Sequence, residues 1–491
     1  MKLAARMLNN PTVVVIANAG AQSVIRFASN VILARMLMPT AFALTSITML
    51  IMSGIQMVSD VGIAVITLRH GPMDSADEAR MWTMQMVRGL GLSAVILVIA
   101  PPTAAIYGAP ELFYVLAALC IVPTIQGMQS LYPILALAKK DLMPTFWVDV
   151  FSRIAGTTLS VLVAVVWPSV WALVVGIIMQ ATFGTLISHW LAKRGWPKFA
   201  FDWKFIRGHW QFSRWIQLGS TLTFIASQID KVLFPLLFGL ARFGVYGIGA
   251  NFALIPAQIT QRWSASIFYP LMVQNVKGDD KAKGLVRSIR TTMLLYSAVI
   301  VTIVIFVAPA FFFILYKPLY KEAGRFAVLL AAAAYFEVAE SSLRHFPLAD
   351  KTARFEFIAV LVRLSAFGLF VAMIWYFKEN AELYAMAFTG AQATSYFFML
   401  LVCTRMRYVR SGIDLVLAGL LWAAIFVNYA IVRTPISLVA AIAECLTLAL
   451  VGLCLVLLIF RTRGLPALSQ TASAETIVEI AQAEQIAVSI G

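Results

Sequence analysis

The chain has 491 residues, 61% of them hydrophobic and only 12% charged, with a mean hydropathy of +0.86. No soluble domain hides that much hydrocarbon, so the composition excludes a water-soluble globular protein and points to a bilayer. The formal charge of +15 does not indicate nucleic acid; it fits Lys and Arg retained beside an anionic cytoplasmic leaflet.

Helical spans need roughly 20 apolar residues each. In chain order the sequence predicts fourteen: Pro11–Ala34, Thr40–Leu68, Met81–Ile106, Pro110–Leu137, Pro144–Trp167, Val170–Ala192, Trp215–Phe238, Gly244–Pro270, Thr291–Tyr316, Ala323–Phe346, Phe355–Phe377, Ala381–Cys403, Ile413–Val432 and Pro435–Phe460. The runs are continuously apolar, without the alternation of a transmembrane barrel. The expected class is an all-α polytopic membrane protein. Lys2 and Arg6 precede an apolar core too short for a signal peptide, so the first span is expected to be uncleaved.

With the N-terminus inside, most Lys and Arg fall on inner segments. Only Arg35, Arg242, Lys317, Lys321, Arg325, Lys378 and Arg433 fall on the outer side. That bias predicts an even number of spans and both termini in the cytoplasm. The expected organisation is a first lobe over 1–192, a basic and aromatic inner linker over 193–214, a second lobe over 215–403, two further spans over 404–463, and a polar tail over 464–491. In the linker, Trp196, Phe199, Phe201, Trp203, Phe205 and Trp210 suit a stretch lying on the inner leaflet. A faint repeat supports two lobes. The turn Met38-Pro39-Thr40-Ala41 after the first span parallels Gly239-Leu240-Ala241-Arg242 after the seventh.

Charges inside the membrane are expensive, so they face wet cavities or pair with each other. The cations are Arg26, Arg88, Arg153, Lys231, Arg262 and Arg363; the acids are Asp60, Asp149, Asp230, Glu337, Glu340 and Glu444. Asp149 with Arg153, and Glu340 with Arg344, are spaced i,i+4 and can neutralise each other on one helix face. Arg262 near the inner interface can snorkel. Arg26 has no acid within one helical turn and lies among Gln22, Ser23, Ser29 and Asn30. Lys231 lies at a similar depth in the seventh span. Together they are candidates to clasp one anion, Arg being suited to phosphate through its bidentate fork. The acids Asp60, Asp149, Asp230, Glu337 and Glu340 are candidates for ion coupling, because a low-dielectric surrounding favours a neutral carboxyl. No nucleotide-binding, zinc-protease or serine-hydrolase motif occurs. No catalytic residue, metal site or cofactor is therefore expected, and transport would draw on an H⁺ or Na⁺ gradient or on that of the substrate.

Three stretches carry a family resemblance. The run from Arg26 through Ile32-Leu33-Ala34-Arg35-Met36-Leu37-Met38-Pro39-Thr40-Ala41-Phe42-Ala43, followed by Ser59-Asp60-Val61-Gly62-Ile63-Ala64, resembles the opening of bacterial polysaccharide repeat-unit flippases. These belong to the multidrug/oligosaccharidyl-lipid/polysaccharide exporter superfamily. Gln228-Ile229-Asp230-Lys231-Val232-Leu233, with Gly239 and Phe243-Gly244-Val245-Tyr246, is similar to the central signature of that family, and Trp171-Ala172-Leu173-Val174 fits as well. The family commonly has glycine where Met38 and Ala43 stand. The resemblance implies a V-shaped pair of six-helix lobes around a cationic cavity, with spans thirteen and fourteen as the extra pair found in the lipid II flippase relative. It implies alternating-access movement of undecaprenyl-diphosphate-linked oligosaccharide from the inner to the outer leaflet of the bacterial inner membrane. The implied partners are that lipid-linked substrate, membrane lipid, a polysaccharide polymerase and a chain-length regulator. Two other readings stay open: a drug or metabolite exporter of the same superfamily, which the many intramembrane cations disfavour, and a membrane polymerase or ligase, which would want a large outer loop.

Overall fold

The computed structural model describes residues 11–59, 74–138, 141–193, 195–263, 280–349, 354–376, 380–406, 408–409 and 411–432. Asp60, Glu444, the fourteenth expected span and the tail lie outside the described residues, as does the side chain of Arg262. Among the described residues the regular structure is helical, and ten helices are long and apolar enough to cross a membrane, with a shorter apolar helix at Gly412–Ile425. The protein is a multi-pass membrane protein. Helices prevail because each satisfies its own backbone polar groups where no water is available to do so.

The elements are α1 (Pro11–Ala34), α2 (Pro39–Val58), α3 (Ser75–Ile106), α4 (Pro110–Leu119), α5 (Ile121–Gly127), α6 (Tyr132–Ala138), α7 (Met143–Val166), α8 (Val170–Ala192), α9 (Trp203–Phe238), α10 (Leu240–Ala253), α11 (Ile255–Trp263), α12 (Asp280–Leu315), α13 (Lys321–Ala349), α14 (Arg354–Tyr376), α15 (Ala381–Arg405) and α16 (Gly412–Val432). The expected spans are met closely at α1, α7, α8, α14 and α15. They differ elsewhere. α2 ends at Val58, where the expected span continues to Leu68. The fourth expected span is broken into α4, α5 and α6, with turns at Cys120 and between Met128 and Leu131. The eighth is broken at Leu254, one residue before Ile255-Pro256, where proline cannot supply an N–H. α3, α9 and α12 run well beyond their apolar cores into polar sequence, since a helix need not end where the hydrocarbon does.

The chain divides into two compact units, the first running to Gly244 and the second starting at Val245. In the first unit α7 and α8 pack along their length. A Cβ on Gly156 would fall 2.6 Å from the Gly176 carbonyl oxygen, and one on Gly176 would fall 2.7 Å from Ser160 Cβ. The two backbones touch, the small-residue packing expected where lipid supplies no hydrophobic drive. α1 lies against α7, and α9 against α2. Where the family commonly has glycine at the first hairpin, this chain keeps a close approach by other means. Ala43 is fully buried, and Gly244 meets Pro39 so closely that any side chain there would collide with the Pro39 backbone.

In the second unit α13 packs against α12 and α15, and α14 packs against α15. Of the stretch of α13 that could cross a membrane, 89% is buried inside the protein, against 22% for α14. Its Ala331–Ala334 run gives neighbours a smooth surface to lie on.

Candidate functional site

Two polar clusters gather most of the predicted residues. The first lies between α1 and α7. Asn18 Nδ2 donates to Asp149 Oδ2 at 2.9 Å, and Gln22 Nε2 donates to the same oxygen at 3.2 Å and to Asn18 Oδ1 at 3.2 Å. Two amides of the neighbouring helix thus hold the carboxylate directly, while Arg153 of its own helix acts on it through charge. A neutral amide reaches an acid across a helix contact without the second desolvation cost of a buried ion pair. Arg153 lies in the field of both Asp149 and Arg26, and its Nε is buried without a hydrogen-bond partner. Arg26, one turn further along α1, is exposed. Arg153 thus stands between an acid of its own helix and a second guanidinium on α1.

The other cations of this unit are more fully engaged. Arg88 donates from Nη2 to the Gln56 carbonyl at 3.1 Å and from Nε to Ser59 Oγ at 3.4 Å. It satisfies the carbonyl end of α2, where a cation also complements the helix dipole. Lys231 Nζ donates to Gln228 Oε1 at 2.7 Å, one turn back on α9. Its neighbour Asp230 is buried, at 2% exposure. Both belong to the unit that ends at Gly244.

The second cluster joins α13, α14 and α15. Gln392 Nε2 donates to Glu340 Oε2 at 2.8 Å, and Ser395 Oγ donates to Glu340 Oε1 at 3.0 Å. Arg363 Nη1 donates to Gln392 Oε1 at 2.9 Å, so one amide bridges acid and base. Arg363 is enclosed, at 4% exposure, and its Nε and Nη2 have no hydrogen-bond partner. It also lies in the field of Glu340, Arg344 and Glu337. The expected Glu340–Arg344 pair exists only as a looser contact of 3.8 Å, with Arg344 shared with Glu356 at 3.6 Å.

A third cluster was not foreseen from the sequence. Arg290 of α12 forks onto Asp414 of α16, with Nη1 to Oδ2 at 3.1 Å and Nη2 to Oδ1. Its Nε donates to Ser342 Oγ at 3.0 Å, and Tyr396 hydroxyl donates to Asp414 Oδ1 at 2.7 Å. Arg290 and Asp414 are 3% and 1% exposed. In the sequence Arg290 stands just before the apolar run that begins at Thr291, which sets it among the inner-loop charges. The available signal was periodicity: Val286, Arg290 and Met293 share the buried face of a helix that begins at Asp280.

Comparison with known proteins follows the same lines. Residues 32–323 match a family described as Polysaccharide biosynthesis protein. Over 275 residues the chain is 23% identical to the succinoglycan biosynthesis transport protein ExoT of Rhizobium meliloti (strain 1021), covering 55% of this chain and 55% of that protein. The chain thus spans about half the length of that curated relative. Its fold is similar to that of the lipid II flippase MurJ in an inward closed conformation, with a TM-score of 0.66 at 12% identity over 92% of this chain and 99% of that one. It is also similar to an inward-facing multidrug resistance MATE transporter of the MOP superfamily, with a TM-score of 0.57 at 14% identity over 80% and 95% of the two chains. A Vibrio cholerae MATE transporter gives a TM-score of 0.53 at 12% identity over 82% and 97%. With a family match across more than half its length, the chain belongs to the polysaccharide biosynthesis protein family, and its membrane helices share the fold of MurJ and MATE structures.

Proposed function

We propose that the protein flips polyprenyl-diphosphate-linked oligosaccharide repeat units from the inner to the outer leaflet of a bacterial inner membrane, with both termini in the cytoplasm. The observation that carries this reading is the cluster between α1 and α7. An exposed guanidinium at Arg26 acts on a half-buried one at Arg153, which is paired only through charge with Asp149, whose Oδ2 is already occupied by Asn18 and Gln22. Like charges in a low-dielectric setting repel, and a diphosphate entering beside them relieves that repulsion while accepting charge-assisted hydrogen bonds. Lys231 offers a further point charge to the same anion, held ready by Gln228.

Coupling to H⁺ or Na⁺ is assigned to the acids. Asp149 is placed to exchange the phosphate's claim on Arg153 for its own. In the second unit, Glu340 and Arg363 share Gln392, so a change of charge on Glu340 alters the hold on three helices at once. Asp60 and Asp230 of the first unit and Glu337 of the second complete the candidate set.

The test is flipping of a fluorescent polyprenyl-diphosphate oligosaccharide in reconstituted vesicles. Arg26→Ala and Arg153→Ala are expected to lower the rate at least about tenfold, the effect of losing one charge-assisted hydrogen bond of about 1.5–3 kcal/mol. Arg26→Lys keeps part of it. Wild-type rates in Arg26→Ala, Arg153→Ala and Lys231→Ala overturn the proposal.

A further inference from the structure

α2, α4 and α8 all begin at the same end of the first unit, and a cavity of about 330 Å³ opens among their first turns. The volume lies within the range of small-ligand pockets, roughly 300–1,000 Å³. Its walls carry Tyr114, Trp167 and Trp171, with Thr40, Glu111 and Ser169 between them. Tyr114 and Trp167 are 60% and 61% exposed, so their rings are open to a ligand.

Each of the three helices starts without a side-chain cap: the N-cap residues are Met38, Ala109 and Ser169. The amides of Ala41, Leu112 and Ala172 turn back to the N-cap carbonyls at 3.1, 3.0 and 3.1 Å. The amides before them, at Thr40, Glu111 and Trp171, have no acceptor within their own helix. Pro39 and Pro110 stiffen two of the starts. Ser169, the residue type best suited to cap α8, does not do so. Its hydroxyl oxygen is buried without a hydrogen-bond partner.

The combination selects among ligand chemistries. An inorganic anion suits three helix starts but is opposed by the Glu111 carboxylate. A purely apolar ligand suits the rings but leaves Glu111, Ser169 and the first-turn amides unmatched. A pyranose ring answers all of them. Its C–H face lies on an indole or phenol, its hydroxyl oxygens accept from amides, and its hydroxyl protons go to Glu111. A belt of aromatics at the membrane interface requires neither a concavity nor a carboxylate inside it.

We propose that this cavity is a carbohydrate subsite that takes a sugar ring of the transported glycan. The inference rests on the transport reading for the source of the sugar, not for the chemistry of the pocket. The test is saturation-transfer NMR on the full chain in lipid nanodiscs, free of sugar-based detergent, with glucose, galactose, N-acetylglucosamine and glucuronic acid as probes. Transfer to the C–H face of at least one of these sugars is expected. Trp167→Ala and Tyr114→Ala are expected to weaken binding about fivefold to tenfold, and Trp167→Phe to restore most of it. Arg26→Ala is expected to leave sugar binding unchanged. No transfer to any of the four sugars, or equal transfer in wild type, Trp167→Ala and Tyr114→Ala, overturns the proposal. Sugar binding that persists while Arg26→Ala flips lipid normally removes the diphosphate clasp and leaves the pocket standing. Loss of sugar binding with an intact effect of Arg26→Ala does the reverse.

Discussion

Removing Asp414 is the sharpest test of how the second unit is held together. Its carboxylate takes two donors from Arg290 and one from Tyr396, and is 1% exposed. In Asp414→Ala the Arg290 guanidinium, 3% exposed in the wild type, keeps only Ser342 of its hydrogen-bond partners. Breaking a buried ion pair from one side costs about 3–5 kcal/mol. The stranded Tyr396 hydroxyl adds about 1 kcal/mol, so a loss of about 4–6 kcal/mol is expected. Tyr396→Phe alone removes only the smaller part, about 1 kcal/mol. Replacing both charges, as Arg290→Met with Asp414→Leu, is expected to recover all but about 1–2 kcal/mol, because the desolvation penalty disappears with the pair. Steric trapping in bicelles measures these differences without heating the protein. A loss below about 1 kcal/mol in Asp414→Ala, or a double variant no better than the single one, refutes the claim that the pair is a dry electrostatic lock.

Three further expectations follow from the packing and the charge map. Gly156→Leu drives a side chain into the Gly176 backbone and is expected to cost about 1–3 kcal/mol, read as a lowered yield of monodisperse protein and a lower unfolding midpoint; wild-type behaviour would mean that α7 and α8 do not touch there. Gln392→Leu strips a donor from Glu340 and an acceptor from Arg363, both buried. It is expected to cost about 2 kcal/mol or more, and Gln392→Glu to be no better tolerated, because the oxygen replacing the amide nitrogen would face the Glu340 carboxylate to which that nitrogen now donates. A reporter fused after Arg463 is expected to read as cytoplasmic; an external signal would reverse the orientation drawn from the Lys and Arg bias.

The membrane fold was legible because the bilayer tolerates few solutions, and long apolar runs are among the plainest of sequence signals. The breaks were less so. The break at Cys120 precedes Pro123, whose missing N–H leaves the Leu119 carbonyl without its helical donor. The carbonyls freed near the break from Met128 to Leu131 find a three-dimensional partner: Gln85 of α3 donates to the carbonyls of Gln126, Gly127 and Gln129. The polar residues of the candidate sites were visible one by one, since a charge in an apolar run stands out. Their partners were not. Asn18 and Asp149 are 131 positions apart, and Arg290 and Asp414 are 124 apart; nothing in a single chain read linearly joins them. Local spacing pointed to Asp149 with Arg153, an attraction that the structure keeps, but it gave no hint of the amides that bond the carboxylate.

The burial of α13 bears on how the protein is made. Glu340 leaves the ribosome 52 residues ahead of Gln392 and 55 ahead of Ser395, the groups that will hold its carboxylate. For that interval the acid has only the loose contact with Arg344 of its own helix to hold it among the acyl chains. Nascent α13 must therefore linger in a hydrated vestibule of the insertion machinery, or enter protonated, until α14 and α15 are synthesised. Assembly of the second unit is in that sense a matter of timing, and a pause or truncation between residues 349 and 392 strands the span that is most buried among the described residues.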